Sequence, residues 1–446
     1  MVVPLLIIFI EVKKQFGMNK IYNFRKEVKR TRAKKMKYKP DPQQSTLLGH
    51  TSGKKPIYIP NDIKHLLLCG TTGSGKTVAL SNFIKSAVVK DYPLLLVDGK
   101  GDTGTGSILD IVHKLNNKHK KVYIVNLTQP EKSDKYNPFQ NTKPTIAKDM
   151  LINMTEWSEE HYQLNCERYL QRLVLLMNKS NIQLSFKNII HYLPITRFLQ
   201  LSAELCKNEV ISKIEHTENT EIAKASGKIA ESATARFSVI QESELGTIFD
   251  NDGVDIYTAL KENAIILFIL NPLLYPELSS LIGRLIVIDS KKAVSKLFGT
   301  DNRKIFIFDE LNVYASPVLL DLVNKSRSAN VTCILSAQSI SDLDVQGGAF
   351  KEQIIENCNN YLVMRQNSSK NAESWANILG TRSTMEVTYQ LQQSGLNTGE
   401  TGFGSAKRVR EYLYHPDDIK TLSTGKAIFL SRDTEQNCKV NICKPF

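Results

Sequence analysis

From His65 to Leu80 the chain reads HLLLCGTTGSGKTVAL. Gly70, Thr71, Thr72, Gly73, Ser74, Gly75, Lys76 and Thr77 in this stretch keep the spacing G-x-x-x-x-G-K-[ST]. The glycines permit a tight loop whose backbone N–H groups can face phosphate oxygens. Lys76 would set a point charge on the β/γ phosphates of a nucleotide, and the Thr77 hydroxyl would reach Mg²⁺. Far along the chain, KIFIFDEL supplies the second half of such a site. Asp309, at the end of an apolar run, can hold Mg²⁺ through its water shell. Glu310 beside it is suited to take the proton of an attacking water. An acidic pair here therefore favours hydrolysis of ATP over simple binding.

Two further side chains have two readings each. Gln338, in ILSAQS, either orients the water and senses the γ-phosphate or only caps a turn. Arg327, in VNKSRSAN, lies between the two apolar runs. It either neutralises charge on a phosphoryl group bound by a neighbouring subunit or stabilises a helix C-terminus on the surface.

These groups need a scaffold that aligns strand ends. The runs IKHLLLCG, YPLLLVDG, KVYIVNL, AIILFIL, KIFIFDE, VTCILSAQ, NYLVMRQ and KAIFLSR are short and rich in Val, Ile and Leu. Each reads as a strand covered on both faces, and helical patterns separate them, so a mostly parallel doubly wound α/β sheet is predicted. Ligand loops in such sheets gather at the C-terminal ends of the strands. Between Leu127 and Ala264 the strand pattern stops and helical periodicity takes over. The expected division is an arm at 1–40, a motor domain at 41–144 and 236–446, and an inserted all-α domain at 145–235. QSGLNTGETGFGSAK, rich in Gly, Ser and Thr, reads as a loop.

Composition is ordinary for a globular protein, at 41% hydrophobic and 23% charged residues. Seven cysteines without a CxxC pair point away from a zinc or disulfide framework. The formal net charge of +13 is concentrated near the N-terminus, where Glu11 to Pro40 holds twelve Lys/Arg against two Glu. Lys29, Arg30, Arg32, Lys34, Lys35 and Lys37 are candidates for contact with nucleic-acid phosphate or anionic lipid; a solvated tail is the other reading. The apolar run VVPLLIIFI falls short of the ~20 residues needed to span a bilayer. It reads as a weak peripheral anchor or as a consequence of start-codon choice, with Met18 an alternative start.

In their order along the chain, these segments resemble the type IV secretion coupling proteins, the TraG/TraD conjugative DNA-transfer ATPases of the FtsK/HerA group of ring motors. Asp98, Gly99, Lys100 and Gly101 match that family's Asp-x-Lys-Gly turn, and YNPF resembles its Asn-Pro segment. ARFSVI and NPLLYPELSSLIGRLI resemble the return into the motor, and the order FDEL, SRSAN, LSAQS follows the family's arrangement. The resemblance implies a RecA-like P-loop NTPase with an inserted all-α domain, using ATP and Mg²⁺. It also implies a homo-hexamer with DNA in a central channel and Arg327 acting in trans. The implied partners are the relaxosome and the type IV secretion channel proteins, with DNA gripped largely without sequence preference. A bacterial cytoplasmic location at the membrane's inner face is expected, held by peripheral contact or by a partner. The alternative is a secretion-system ATPase driving pilus assembly or protein export on the same core.

Overall fold

The computed structural model describes residues 39–116, 120–154, 160–394 and 397–446. Thirteen strands are assigned among them. They are β1 (Ser45–His50), β2 (Pro56–Pro60), β3 (Leu66–Cys69), β4 (Leu94–Asp98), β5 (Val122–Asn126), β6 (Ile265–Ile269) and β7 (Lys304–Asp309). The remainder are β8 (Val331–Ala337), β9 (Asn360–Val363), β10 (Thr381–Ser394), β11 (Asn397–Tyr412), β12 (Lys426–Ser431) and β13 (Gln436–Ile442). Eleven form one sheet in the order β2-β1-β13-β12-β9-β3-β8-β7-β4-β6-β5, and β10 pairs with β11 as a separate two-stranded sheet.

The block from β9 to β5 is parallel throughout. Its inner strands are buried along their whole length, as continuous apolar runs require when helices cover both faces. Period-two alternation splits these runs between two apolar cores. Leu66 and Leu68 face the helices Lys76–Val89 and Ile108–Leu115; Leu67 and Cys69 face the opposite core.

Two sequence expectations need correction. KAIFLSR forms β12, but it runs antiparallel to β9 and to β13, the latter because a short turn rather than a helical crossover joins β12 to β13. With β1 and β2, these strands add an antiparallel extension at one edge. Residues 394 and 397–407, read as a loop, instead belong to the β10–β11 hairpin, whose ladder runs from Thr381↔Tyr412 to Ser394↔Asn397. The glycines there sit within strands, with Gly399 opposite Gln392 and Gly404 opposite Tyr389, because the backbone ladder outweighs their weak strand preference.

Helices replace strands between β5 and β6: Pro144–Asn153, Glu160–Lys179, Phe186–Tyr192, Ile195–Lys207, Lys213–Ala225 and Gly227–Glu242. Their buried residues, including Phe198, Ile222 and Phe237, join the same apolar cluster as Leu67 and Phe308 of the sheet. A buried polar seam anchors the segment that leads into them. Tyr136 donates to Asp289 Oδ2 at 2.8 Å, while Lys292 Nζ lies 2.7 Å from Asp289 Oδ1 and donates to the Pro138 carbonyl at 2.7 Å. YNPF is thereby fixed to the helix Pro276–Lys296. No described helix is long and apolar enough to cross a membrane. The arm positions Lys29, Arg30, Arg32, Lys34, Lys35 and Lys37 lie outside the described residues.

Candidate nucleotide site

The Gly-rich loop joins β3 to the helix Lys76–Val89, and both neighbouring strand ends hold it. Gly70 N–H donates to the Ala337 carbonyl at 3.2 Å, and Thr71 N–H donates to the Arg365 carbonyl at 3.0 Å. Gly70 is required by crowding: a Cβ there would sit 2.6 Å from Ser74 Oγ and 2.7 Å from Met364 Cβ. From the far side, Thr424 Oγ1 donates to the Gly73 carbonyl and Gly425 N–H to the Ser74 carbonyl, both at 2.9 Å. Thr77 follows Lys76 in the first turn of the helix.

Lys76 Nζ lies 3.3 Å from Glu310 Oε1, and both side chains are almost fully buried. Gln338 Nε2 donates to the same Oε1 at 3.1 Å, and Thr72 Oγ1 donates to Gln338 Oε1 at 3.4 Å. Thus Thr72, Lys76, Glu310 and Gln338 converge. Successive strand residues point to opposite faces, so Asp309 and Glu310 could not ordinarily share a site. Glu310 overcomes this by adopting φ 53°, ψ 57°, a left-handed conformation that costs a non-glycine residue about 1–3 kcal/mol. Three hydrogen bonds hold the turn. Tyr314 OH and Gly99 N–H donate to the Asp309 carbonyl at 2.8 and 3.3 Å, and Val313 N–H donates to the Glu310 carbonyl at 3.0 Å.

Asp309 and Asp98 are register partners at the ends of β7 and β4, both nearly inaccessible. Burial, with the charge of Asp309 second, pushes the Asp98 carboxyl up to about 7. Asp98 accepts from Lys100 N–H at 2.9 Å, whereas the Lys100 side chain is exposed beside Asp102. Asp309 Oδ1 and Glu310 Oε2 are buried without a hydrogen-bond partner. Hard oxygen donors of this kind suit Mg²⁺, which binds few protein oxygens and completes its shell with phosphate and water. A divalent cation would also relieve the crowding of negative charge that Asp98 registers.

Arg327 is not brought to this site. It is exposed and precedes β8, at the strand end opposite the Gly-rich loop, where its charge contributes less than burial to holding His65 down at about 4. The four residues of β3 alone separate the two ends by roughly 13 Å. Sequence reading also missed Gln366, Tyr314 and Thr424. Fully buried Gln366 donates to the Gln338 carbonyl at 3.2 Å and steadies its backbone. NYLVMRQ ends in that glutamine at a strand terminus beside the Gly-rich loop, which is a signal of the same kind as Gln338.

Gly101 offers a stability test of the Asp-x-Lys-Gly turn. Its φ is +76°, and an added Cβ would lie 2.4 Å from the Leu270 carbonyl oxygen. Gly101→Ala is expected to cost about 1–3 kcal/mol, read as a lower urea midpoint at unchanged slope. Gly106→Ala, at φ +84° with nothing within 4 Å, should cost less. Equal effects would remove the close approach to Leu270 as the cause.

The type IV secretion-system coupling protein DNA-binding domain family matches residues 50–442. The chain belongs to that family. Among solved structures, the bacterial conjugative coupling protein TrwBdeltaN70 in an unbound form aligns over 91% of this chain and 89% of its own, with TM-score 0.63 at 18% identity. The plasmid coupling protein TrwB in complex with ADP and Mg²⁺ gives the same TM-score over 91% and 90%. VirB4 of Thermoanaerobacter pseudethanolicus aligns at TM-score 0.52 and 11% identity over 91% of this chain and 97% of its own. At these identities the likeness is one of fold: a RecA-like, mostly parallel sheet with an added helical segment. An uncharacterized protein of Mycoplasma pneumoniae is 31% identical over 121 residues, covering 27% of this coupling-protein chain and 78% of that one.

Proposed function

We propose that this coupling-protein chain hydrolyses ATP and uses the energy to move DNA towards a type IV secretion channel. The observation that supports this most is the shared Glu310 carboxylate oxygen, on which Lys76 at the start of its helix and Gln338 at the end of β8 converge. Lys76 and the Gly-rich loop hold the phosphates. Thr77 and, through water, Asp309 hold Mg²⁺, which neutralises charge on the phosphates when bound. Glu310 takes the proton of the attacking water and Gln338 orients that water. Asp98 shapes the turn next to Asp309. Arg327, exposed at the strand end opposite its own subunit's loop, serves the site of a neighbour in a homo-hexameric ring. The relaxosome delivers the DNA, and the arm, through Lys29, Arg30, Arg32, Lys34, Lys35 and Lys37, meets DNA or the anionic cytoplasmic face of the membrane.

A motor that grips phosphates without reading bases binds by counterion release, so its affinity falls steeply with salt. With six to ten phosphate contacts the loss is about 10³–10⁵-fold between 50 and 200 mM salt. ATP turnover of the purified chain is expected to rise on adding single- or double-stranded DNA. That stimulation should fade over the same salt interval. Turnover indifferent to DNA at low salt would overturn the reading in favour of another secretion cargo.

A further inference from the structure

Arg327 is an exposed side chain on a tightly held backbone. It opens the 3₁₀ turn Arg327–Ala329, which follows directly on the helix Pro317–Ser326. The Arg327 carbonyl accepts from Asn330 N–H at 2.9 Å and closes the turn. The next three carbonyls all bond one segment, Gly299 to Lys304, where the chain enters β7. Gly299 N–H donates to the Ser328 carbonyl at 3.3 Å, Lys304 Nζ to the Ala329 carbonyl at 3.0 Å and Lys304 N–H to the Asn330 carbonyl at 3.0 Å. Asn330 takes the left-handed φ 54°, ψ 40°, which asparagine adopts more readily than most residues, and its Nδ2 donates to the Thr300 carbonyl at 2.7 Å. The Arg327 guanidinium has no partner among the described residues.

Lys304 is the unusual member of this mount. It is 2% exposed, yet no carboxylate among the described residues pairs with it. Burial, and after it the like charge of Arg303, pushes the ammonium below the ordinary lysine value. Its donors go instead to Thr300 Oγ1 at 2.8 Å, to the Asn302 carbonyl and to the Ala329 carbonyl. An ammonium removed from water with no anion beside it is unfavourable, and an apolar side chain would fill the first position of β7 without that cost. What the charge does here is hold carbonyls at the negative end of the turn that carries Arg327. β7 therefore bears this brace at its start and leads into the acidic pair Asp309 and Glu310 at its end.

An arginine that acts on developing phosphoryl charge works through placement, and a misplacement of about 1 Å can cost ~10²-fold in rate. Because the Arg327 side chain is long and exposed, its own subunit sets its position through the backbone beneath it. Resting on the reading of Arg327 as serving a neighbour's nucleotide, we propose that Lys304 is a positioning residue for hydrolysis. Its buried ammonium locks the turn 327–330, so that the guanidinium meets the neighbouring subunit's phosphates in one fixed geometry.

The test is a double-mutant cycle in the full chain with Lys304→Met, Arg327→Ala and the two combined. Lys304→Met keeps the stem and removes the donors. Asn330→Gly loosens the same turn from its other side while favouring the left-handed backbone, so it serves where Lys304→Met lacks a cooperative melting transition. Each variant is measured for kcat and KM for ATP and for affinity towards a fluorescent ATP analogue. Lys304→Met is expected to lower kcat about 10- to 100-fold, with affinity and KM within a few-fold of the parent. Asn330→Gly should shift kcat in the same direction. In the Arg327→Ala background neither change should slow turnover further, because the side chain that the mount positions is already gone.

A Lys304→Met chain with parental kcat, beside an Arg327→Ala chain that is slow, overturns this inference and leaves the role of Arg327 standing. A combined variant whose loss is the product of the two single losses also overturns it, since Lys304 would then act other than through Arg327. Parental turnover in Arg327→Ala removes the trans role and this inference together, with DNA-driven hydrolysis untouched. A parent chain without turnover overturns the motor reading as well.

Discussion

Glu310→Gln is expected to lower ATP turnover about 10²–10⁴-fold while nucleotide binding persists. The two carboxylate oxygens have different surroundings. Oε1 is taken by Lys76 and Gln338, whereas Oε2 is buried and unpartnered, leaving a lone pair available for the proton of an incoming water. Glutamine keeps the shape and one acceptor oxygen but cannot accept a proton at neutral pH, so the fold of the turn should survive. The left-handed backbone at Glu310 is held by Tyr314 and Gly99 through Asp309 and by Val313, none of which depends on the carboxylate. Binding of a fluorescent ATP analogue, measured beside turnover with and without DNA, separates the two effects. Turnover within a few-fold of the parent would remove Glu310 as the base and direct attention to Asp98, the other buried acid beside Asp309.

The parallel block was legible because burial on both faces writes itself as uninterrupted Val, Ile and Leu, as in LLLVD and KIFIFD. The antiparallel edge was not. β13, QNCKVNI, buries only Val440 and leaves its other positions partly or fully exposed, and short polar runs like it are common outside strands. The hairpin failed for a different reason: the strand character of the Gly- and Thr-rich start of β11 comes from its ladder with the glycine-free β10, and composition alone cannot report pairing. At the site, Lys76, Asp309, Glu310 and Gln338 could be picked out because local spacing encodes the loop and the strand ends that carry them. Gln366, Tyr314 and Thr424 act across the sheet on carbonyl oxygens. A carbonyl is present at every residue, so nothing in the spacing marks which one will be bonded.

Lys76→Ala should differ from Glu310→Gln by weakening nucleotide binding as well as turnover. In the structure Lys76 has Glu310 as its ion-pair partner, so phosphate must take the ammonium from the carboxylate. That exchange would free the second lone pair of Glu310 at the moment the substrate arrives, tying activation of the base to occupancy of the loop. Removing the lysine eliminates a charge-assisted contact of about 1.5–3 kcal/mol, equivalent to roughly 10- to 150-fold in affinity. Loss of its stabilisation of developing charge should reduce turnover by about 10²–10³ in addition. If Lys76 and Glu310 act as one unit, the double variant should turn over ATP no more slowly than the worse single one, as strongly coupled groups do. Independent groups would instead multiply their losses. Titrating the nucleotide against all three variants decides between these outcomes, and a Lys76→Ala chain with parental affinity and turnover would place the phosphates away from this loop.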